Sequence, residues 1–390
     1  MKKLVLLSAF LIFGFSFSQT TAIPDANFEQ ALISLGYDTG NVNGSIATSN
    51  IADLTYLDVT NQNISDLTGI EDFTGLTELY IGGNQLTSLN LNNNNALISL
   101  FAYANQLTSV DLSNNTALNV LQLAGNQLTS LDLSFNPNLS ALEVFSNLLS
   151  NLDLSQNTAL TYLNCGLNQL TNLDLSANTS IQSLNCAYNS INTLDVGLNY
   201  SLIGITCNNN QISVLDLKPC SLLTFINCRN NYLHTLDIRN CDISNFSNFG
   251  INYNWNLRCV SVDDPSYPIG NWSNSFQYDN HTSFSPNCDK TYVPDDNFEA
   301  YLETHDASGN TVSVGDANSM GDGIANNDSV TTANISGVTH LDVSYQNISN
   351  FSGIEGFNSL DTLSARNNTI SFIDISQNSA LQFIDFADCD

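Results

Sequence analysis

The chain has 390 residues, enough for two or three domains of ordinary size, and 42% of them are apolar, which excludes a disordered or fibrous protein. Against 37 acidic residues stand 8 basic ones, a formal net charge of −29 that repels nucleic-acid phosphates and anionic lipid headgroups and makes polyanions poor candidate partners, with no nucleic acid expected. Only 12% of residues are charged, so solubility rests mainly on the many Asn, Ser and Thr.

The chain opens with Lys2 and Lys3, a twelve-residue apolar run from Leu4 to Phe15, and then Ser16 and Ser18 as small residues before a cut ahead of Gln19. This pattern is that of a secretory signal peptide over residues 1–18. The run is too short for a membrane span, and no later stretch reaches about 18 consecutive apolar residues. The expectation is a protein that is secreted or held at the cell surface, with no transmembrane segment. The first cysteine is Cys165, so no lipoprotein anchor follows the cut. Within residues 19–75 the phrase IPDANFEQALISLGYD, from Ile23, places Asp25 to cap a helix and Phe28, Ala31, Leu32 and Leu35 at i, i+3, i+4 and i+7. A short amphipathic helix is expected there, followed by irregular repeats.

From Leu76 the sequence stacks in eight gapless rows of 21 residues, opening at Leu76, Leu97, Leu118, Leu139, Leu160, Ile181, Leu202 and Leu223 and filling residues 76–243. The fourth place of every row is Leu or Ile, and the ninth is Asn in all eight rows, from Asn84 to Asn231. In an extended segment alternate side chains face opposite ways, so Leu121 and Leu123 point inward while Val120, Gln122 and Ala124 point outward. In the second half of the row Leu131 and Leu133 point inward and Asp132 outward. Each half-row is thus expected to form a short strand, and stacked rows two parallel sheets around a narrow apolar core. The ninth-place Asn must turn inward at the corner and pair with backbone groups that water cannot reach, since leaving one unpaired costs roughly 1–3 kcal/mol. One row buries about six side chains at roughly 1.5–3 kcal/mol each, which does not cover an ordering cost of about 1–2 kcal/mol per residue. Rows are therefore stable only when stacked, and the open ends of the stack need caps.

The pattern LxxLxLxxN resembles the leucine-rich-repeat family, and a row such as LTYLNCGLNQLTNLDLSANTS is similar to the bacterial branch that includes the internalins. Each row holds the pattern twice, with Leu118, Leu121, Leu123 and Asn126 echoed by Leu128, Leu131, Leu133 and Asn136, which resembles a nested ten-plus-eleven periodicity. The fold class is accordingly read as mainly β, a leucine-rich-repeat solenoid with parallel β-sheets on two faces, short capping helices and two tandem modules. Residues 244–290 lose the period and resemble the terminal cap of such arrays, and a Cys259–Cys288 disulfide is hypothesised to bracket that stretch. The opening phrase then returns as VPDDNFEAYLE, so residues 291–359 are read as a second cap with irregular repeats and 360–390 as the start of a second array. Because Asp390 falls in mid-row, the expectation is that the protein continues beyond it.

Several constellations are candidates for function. Cys165, Cys186, Cys207 and Cys228 recur every 21 residues at the inward sixth place; they form a line rather than a converging ligand set, and read as core. Cys220 and Cys241 replace a corner Asn in successive rows, with a disulfide between them as the alternative to free thiols. Asp111, Asp132, Asp153, Asp174, Asp195, Asp216 and Asp237 form an acidic ladder on the outer face of the second sheet, about 4.8 Å apart. Their repulsion is offset either by hydrogen bonds from neighbouring serines and solvent or by divalent cations or a cationic partner. On the outer face of the first sheet Tyr80, Phe101, Tyr103, Phe145 and Tyr162 form an aromatic patch, read either as a ligand-binding surface or as cross-strand packing. Asp316, Asn318, Asp322 and Asp328 set oxygen ligands around Gly323, but only part of an EF-hand loop fits, so calcium is weighed against an ordinary polar loop; no other cofactor is called. No nucleophile motif, paired-histidine metal spacing or phosphate loop is present, so the chain reads as a non-enzyme. What the resemblance implies is protein–protein interaction or adhesion at a bacterial cell surface, with a protein ligand as partner and a glycan as the alternative. The competing reading is a carbohydrate-binding or enzyme-appended module whose catalytic domain lies beyond residue 390.

Overall fold

The computed structural model describes residues 19–257, 259–264, 276–280, 282–286, 288, 290–370 and 373–389. The proposed signal peptide lies outside the described residues. Contacts divide the chain into two compact units, 1–284 and 285–390.

In the first unit an antiparallel pair, β1 (Thr20–Ala22) and β2 (Ser45–Ala47), flanks α1 (Ala26–Ser34). Asp25 caps this helix: its Oδ1 accepts from the amides of Asn27 (2.9 Å) and Phe28 (3.0 Å). Its Oδ2 accepts from the amides of Ser65 and Asp66 and from the Ser65 hydroxyl, tying the helix to the first repeat. Phe28, Ala31 and Leu32 are buried as the spacing requires, whereas Leu35 is exposed. The helix ends at Ser34, and Gly36 at φ +82° turns the chain away before Leu35 can reach the core. Glu29 is fully buried within α1, where its carboxylate accepts from the amides of Asn43 and Gly44, both at 2.7 Å.

Three-residue strands follow once per row: β3 (Tyr56–Asp58), β4 (Glu78–Tyr80), β5 (Ser99–Phe101), β6 (Val120–Gln122), β7 (Ala141–Glu143), β8 (Tyr162–Asn164), β9 (Ser183–Asn185) and β10 (Gly204–Thr206). From there two strands per row alternate: β11 (Val214–Asp216), β12 (Phe225–Asn227), β13 (Thr235–Asp237), β14 (Asn248–Gly250), β15 (Cys259–Ser261), β16 (Phe276–Gln277) and β17 (Ser283–Ser285). Strands β3 to β10, with β12, β14 and β16, form one eleven-stranded sheet. Its parallel pairs are in register along the period, so that Leu100, Leu121 and Leu142 stack in one column inside and each outward place stacks on its copy in the next row.

The second sheet is shorter than the repeat pattern implies. Only β11, β13, β15 and β17 form it, and the corresponding segments of the earlier rows run without a strand ladder. The pairing rows place Val214, Thr235 and Cys259 just before the inward residue, where earlier rows carry Ser88, Ser109, Ser130, Asn151 and Asn172. Ser and Asn compete for nearby backbone groups and disfavour an extended ladder, which β-branched side chains favour. Thr193, in the row just before, breaks this rule without pairing.

The corners hold the stack together. Asn126 is typical: its Nδ2 donates to the carbonyls of Ala102 and Leu123, both at 3.0 Å, and its Oδ1 accepts from the Leu107 amide at 3.0 Å, linking adjacent rows. At the opposite corner Asn136 donates to the carbonyls of Leu112 (3.2 Å) and Asn115 (3.0 Å). Cys220 and Cys241 take that place in later rows. Both are free thiols, so no disulfide joins them. Instead Cys220 Sγ lies 3.7 Å from the carbonyls of Val196 and Asn199, repeating the Asn contacts with a weaker donor.

The second unit repeats the capping device by itself. β18 (Lys290–Tyr292) pairs with β19 (Ser329–Thr331), α2 (Asp296–Thr304) and α3 (Thr332–Ser336) follow the two strands, and β20 (His340–Asp342), β21 (Thr362–Ser364) and β22 (Phe383–Asp385) form a parallel sheet. Asp295 caps α2 and accepts from Ser349 and Asn350, as Asp25 does from Ser65 and Asp66. Among the described residues no helix is long and apolar enough to cross a membrane.

Candidate functional site

The outward face of the eleven-stranded sheet is where the sequence places its aromatic side chains. Tyr80 and Phe101, in register on β4 and β5, stack with ring centroids 4.2 Å apart and planes 7° from parallel. Tyr56 on β3 lies against Tyr80 with ring centroids 5.4 Å apart and planes tilted by 46°. The row pattern missed it because its row is 22 residues from the next and lies ahead of the regular array. Tyr103 covers Gly82, whose absent β-carbon would fall 2.5 Å from its ring. Phe145 lies near Gly166, 3.4 Å from where its β-carbon would fall, though the Ala187 carbonyl oxygen is closer at 3.0 Å. Among the described residues Tyr103, Phe145 and Tyr162 make no ring contact with Tyr56, Tyr80 or Phe101.

Tyr162 stands apart on β8, half-exposed, its phenol donating to Glu143 Oε1 at 3.2 Å. Desolvation and then the Glu143 charge raise its pKa. It forms one side of a hollow of about 460 Å³ lined also by Gln182, Ser183, Leu184, Asn185, Ile203, Gly204, Thr206, Thr224 and Phe225. The signal for that hollow was available in the sequence: places 3 of successive rows read Tyr162, Ser183, Gly204, Phe225, two small residues between two rings.

A second feature escaped the row analysis. The corner residue that follows each strand of this sheet except β16 is left-handed, from Asn61 through Gly83, Ala104, Gly125, Ser146, Leu167, Tyr188, Asn209 and Asn230 to Tyr253, with φ between +50° and +67°. Asn and Gly fill several of these places at little cost, but Leu167 and Tyr188 hold bulky side chains in a conformation costing about 1–2 kcal/mol, and both are exposed.

Each carboxylate of the acidic ladder clamps its own turn. Asp111, Asp132, Asp153, Asp174, Asp195, Asp216 and Asp237 each accept, on Oδ1, the amide two residues on, at 2.8–3.0 Å. Hydrogen bonds from Ser113, Ser134, Ser155 and Ser176 hold the first four carboxyls below the usual carboxylate range, and Asp237 is further paired with Arg239. The inward cysteines Cys165, Cys186, Cys207 and Cys228 are fully buried free thiols; burial pushes Cys186 and Cys228 up to about 12 and raises the other two well above the ordinary value. Cys259 and Cys288 are disulfide-bonded.

In the second unit, Asp322 is engaged by the protein itself: Oδ1 accepts from the Ile324 amide, and Oδ2 lies 3.0 Å from Asn327 Nδ2, 3.1 Å from Ser329 Oγ and 3.3 Å from Lys290 Nζ. Asp316 accepts from the amide and side chain of Asn318. Among the described residues the acidic groups that converge within 4.8 Å are Asp296, Glu299 and Asp328, so of the four loop candidates only Asp328 enters such a group. There the buried Glu299 accepts from the amides of Asn327 and Asp328, the same loop-holding role that Glu29 has in the first unit.

In-register parallel rows around a leucine core, with an inward Asn ladder at the corners, define a leucine-rich-repeat solenoid. Its likeness is to the internalins. The functional domain of InlJ from Listeria monocytogenes, described as including a cysteine ladder, matches with a TM-score of 0.54 and 27% identity over 93% of this chain and 75% of that one. The internalin InlF of Listeria monocytogenes matches with a TM-score of 0.49 and 21% identity over 94% of this chain and 96% of that one. A leucine-rich-repeat protein of Leptospira interrogans matches with a TM-score of 0.47 and 17% identity over 88% and 81% of the two chains. No protein-family model matches the sequence, and no curated protein matches it.

Proposed function

We propose that this chain is an exported binding protein, non-catalytic in itself, whose eleven-stranded sheet presents its outward face to a protein partner at a bacterial cell surface. The observation that carries this reading is the cluster of Tyr56, Tyr80 and Phe101 on the outward face, since large rings grouped at a surface supply contact area at little entropic cost. The exposed Leu167 and Tyr188, held in left-handed corners along the rim of the same sheet, support it: backbone strain without a packing return marks a position used for something else. The cysteine ladder noted for the InlJ domain has its parallel in Cys165 to Cys228, which supports a common architecture and not a common ligand. The repeated capping phrase supports two modules in tandem, and a Cys259–Cys288 bridge is proposed as the pairing of the two bonded cysteines.

The test compares wild type with the double variant Tyr80→Ser plus Phe101→Ser, both immobilised and cross-linked to candidate surface proteins, after thermal melts have shown both to be folded. Loss of cross-linked partner in the double variant is expected; equal recovery would reject the aromatic face as the contact. Export is checked separately, by the N-terminal sequence of the mature protein, which should begin at Gln19.

A further inference from the structure

The hollow between Tyr162 and Phe225 is built differently from the aromatic stack, and its construction points to a ligand of its own. Tyr162, Ser183, Gly204 and Phe225 are directly paired across β8, β9, β10 and β12, so they form one outward column. Three strand spacings separate the two rings, roughly 14 Å. Between them the column is a hydroxymethyl group and a hydrogen atom, which opens a slot with a ring at each end.

Gly204 has no conformational reason to be glycine. Its φ is not in the left-handed region, and a β-carbon there would meet only Phe225 Cβ, at an ordinary 3.7 Å. Glycine inside a strand is destabilising relative to alanine, and one that neither turns the chain nor makes room for a neighbouring side chain marks a place where something else approaches the backbone.

The chemistry of the lining selects what approaches. Gln182, Asn185, Thr206 and Thr224 supply amides and hydroxyls along both margins, and no Asp, Glu, Lys or Arg lines the slot, in a chain whose net charge is −29. Tyr162 is steadied from the opposite side by its bond to Glu143. A volume of about 460 Å³ lies within the range of roughly 300–1,000 Å³ usual for small-ligand sites.

We propose that this slot is a binding site for an uncharged saccharide, one or two pyranose rings long. A pyranose offers apolar C–H faces to a tyrosine and a phenylalanine, and a rim of hydroxyl donors and acceptors to amides and threonines. A proline or aromatic side chain from a peptide would fill the same space but leave the amide groups desolvated and unpaired, which is costly. An anionic sugar would find no cation to meet it. The proposal stands on the slot alone and does not require the protein-partner reading.

The experiment is saturation-transfer NMR on the full chain with a panel of neutral disaccharides (cellobiose, maltose, lactose, N,N′-diacetylchitobiose), with sialyllactose as the anionic control and a proline-rich peptide as the competing class. Wild type should transfer saturation to at least one neutral sugar and to neither control. Gly204→Leu, which fills the slot from an outward position, and Tyr162→Ala, which removes one end, should each weaken that sugar about tenfold or more. Tyr80→Ser, on the distant stack, should leave it unchanged, and melting curves of all three variants identify any that fail to fold. Absence of transfer to every neutral sugar, preference for the peptide or for sialyllactose, or unchanged binding in a folded Gly204→Leu would each overturn the assignment.

Discussion

Asn126→Ala and Asn136→Ala delete the same atoms from the same row, yet they should differ in cost. Asn126 donates to the carbonyls of Ala102 and Leu123 and accepts from the Leu107 amide. The two carbonyls keep a second donor after the change, because Asn105 also bonds Ala102 and Asn147 also bonds Leu123. The Leu107 amide keeps none, and Leu107 is fully buried. At Asn136 both acceptor carbonyls retain backbone partners, the amide of Asn115 for Leu112 and that of Leu118 for Asn115, and its own Oδ1 accepts nothing from the protein. With about 0.5–1.5 kcal/mol for each shared bond lost and roughly 1–3 kcal/mol for an orphaned buried donor, Asn126→Ala should cost about 2–6 kcal/mol and Asn136→Ala about 1–3 kcal/mol, so that Asn126→Ala costs more by about the orphaned donor's share. Asn136→Cys should cost less still, since Cys220 and Cys241 already serve in that place. Equilibrium urea unfolding measures the difference, and amide hydrogen exchange locates it: protection at Leu107 should collapse in Asn126→Ala only. Equal costs for the two alanine variants, or an unchanged Leu107 amide, would refute the orphaned-donor reasoning.

Four further outcomes are expected. At Asp25 burial pushes the carboxyl up, but the hydrogen bonds from Ser65, Phe28 and Asp66 outweigh it and hold it below its ordinary value of 3.8. A depressed folded-state pKa means that this stabilisation is complete above that value and is lost as pH falls through the folded one; acid unfolding curves should therefore lose part of their low-pH slope in Asp25→Asn. The thiols of Cys165, Cys186, Cys207 and Cys228 should resist an aromatic disulfide reagent at pH 8 in the native protein and react on unfolding; rapid native labelling would contradict their burial. Gly69→Ala should cost at least about 2 kcal/mol by thermal melting, because φ is +102° and the new β-carbon would fall 2.5 Å from the Ala22 carbonyl oxygen. Lys290→Met should destabilise the second unit by leaving the buried Asp322 carboxylate without its cation, and a melting temperature equal to wild type would argue against that ion pair.

Much of the architecture could be read from periodicity because a stack of identical turns repeats the same demand at the same place. Leu121 and Leu123 face inward for the reason any alternating strand residue does, and the Asn ladder follows from corner carbonyls that need a donor. Leu35 was misplaced because a helical spacing does not say where the helix stops. The second sheet was overextended because a pattern of inward leucines is compatible with an extended chain whether or not its neighbours pair. Periodicity makes Tyr103 and Phe145 outward, but Gly82 and Gly166 beside them are set by single substitutions in adjacent rows.

The amino-acid order alone determined the turn length, the buried column of each row, the corner ladder and the identity of the exposed face, since each depends only on which residues recur at a fixed place. Tertiary structure decided which exposed residues meet. Tyr162 and Phe225 are 63 positions apart and bound one slot only because in-register pairing sets their strands three steps apart, and Glu29 and Glu299 became buried loop clamps only because their helices pack with the acids turned toward free amides. Contacts of that kind depend on the geometry between rows, which is fixed by strand spacing and side-chain packing rather than by anything local to the residues themselves.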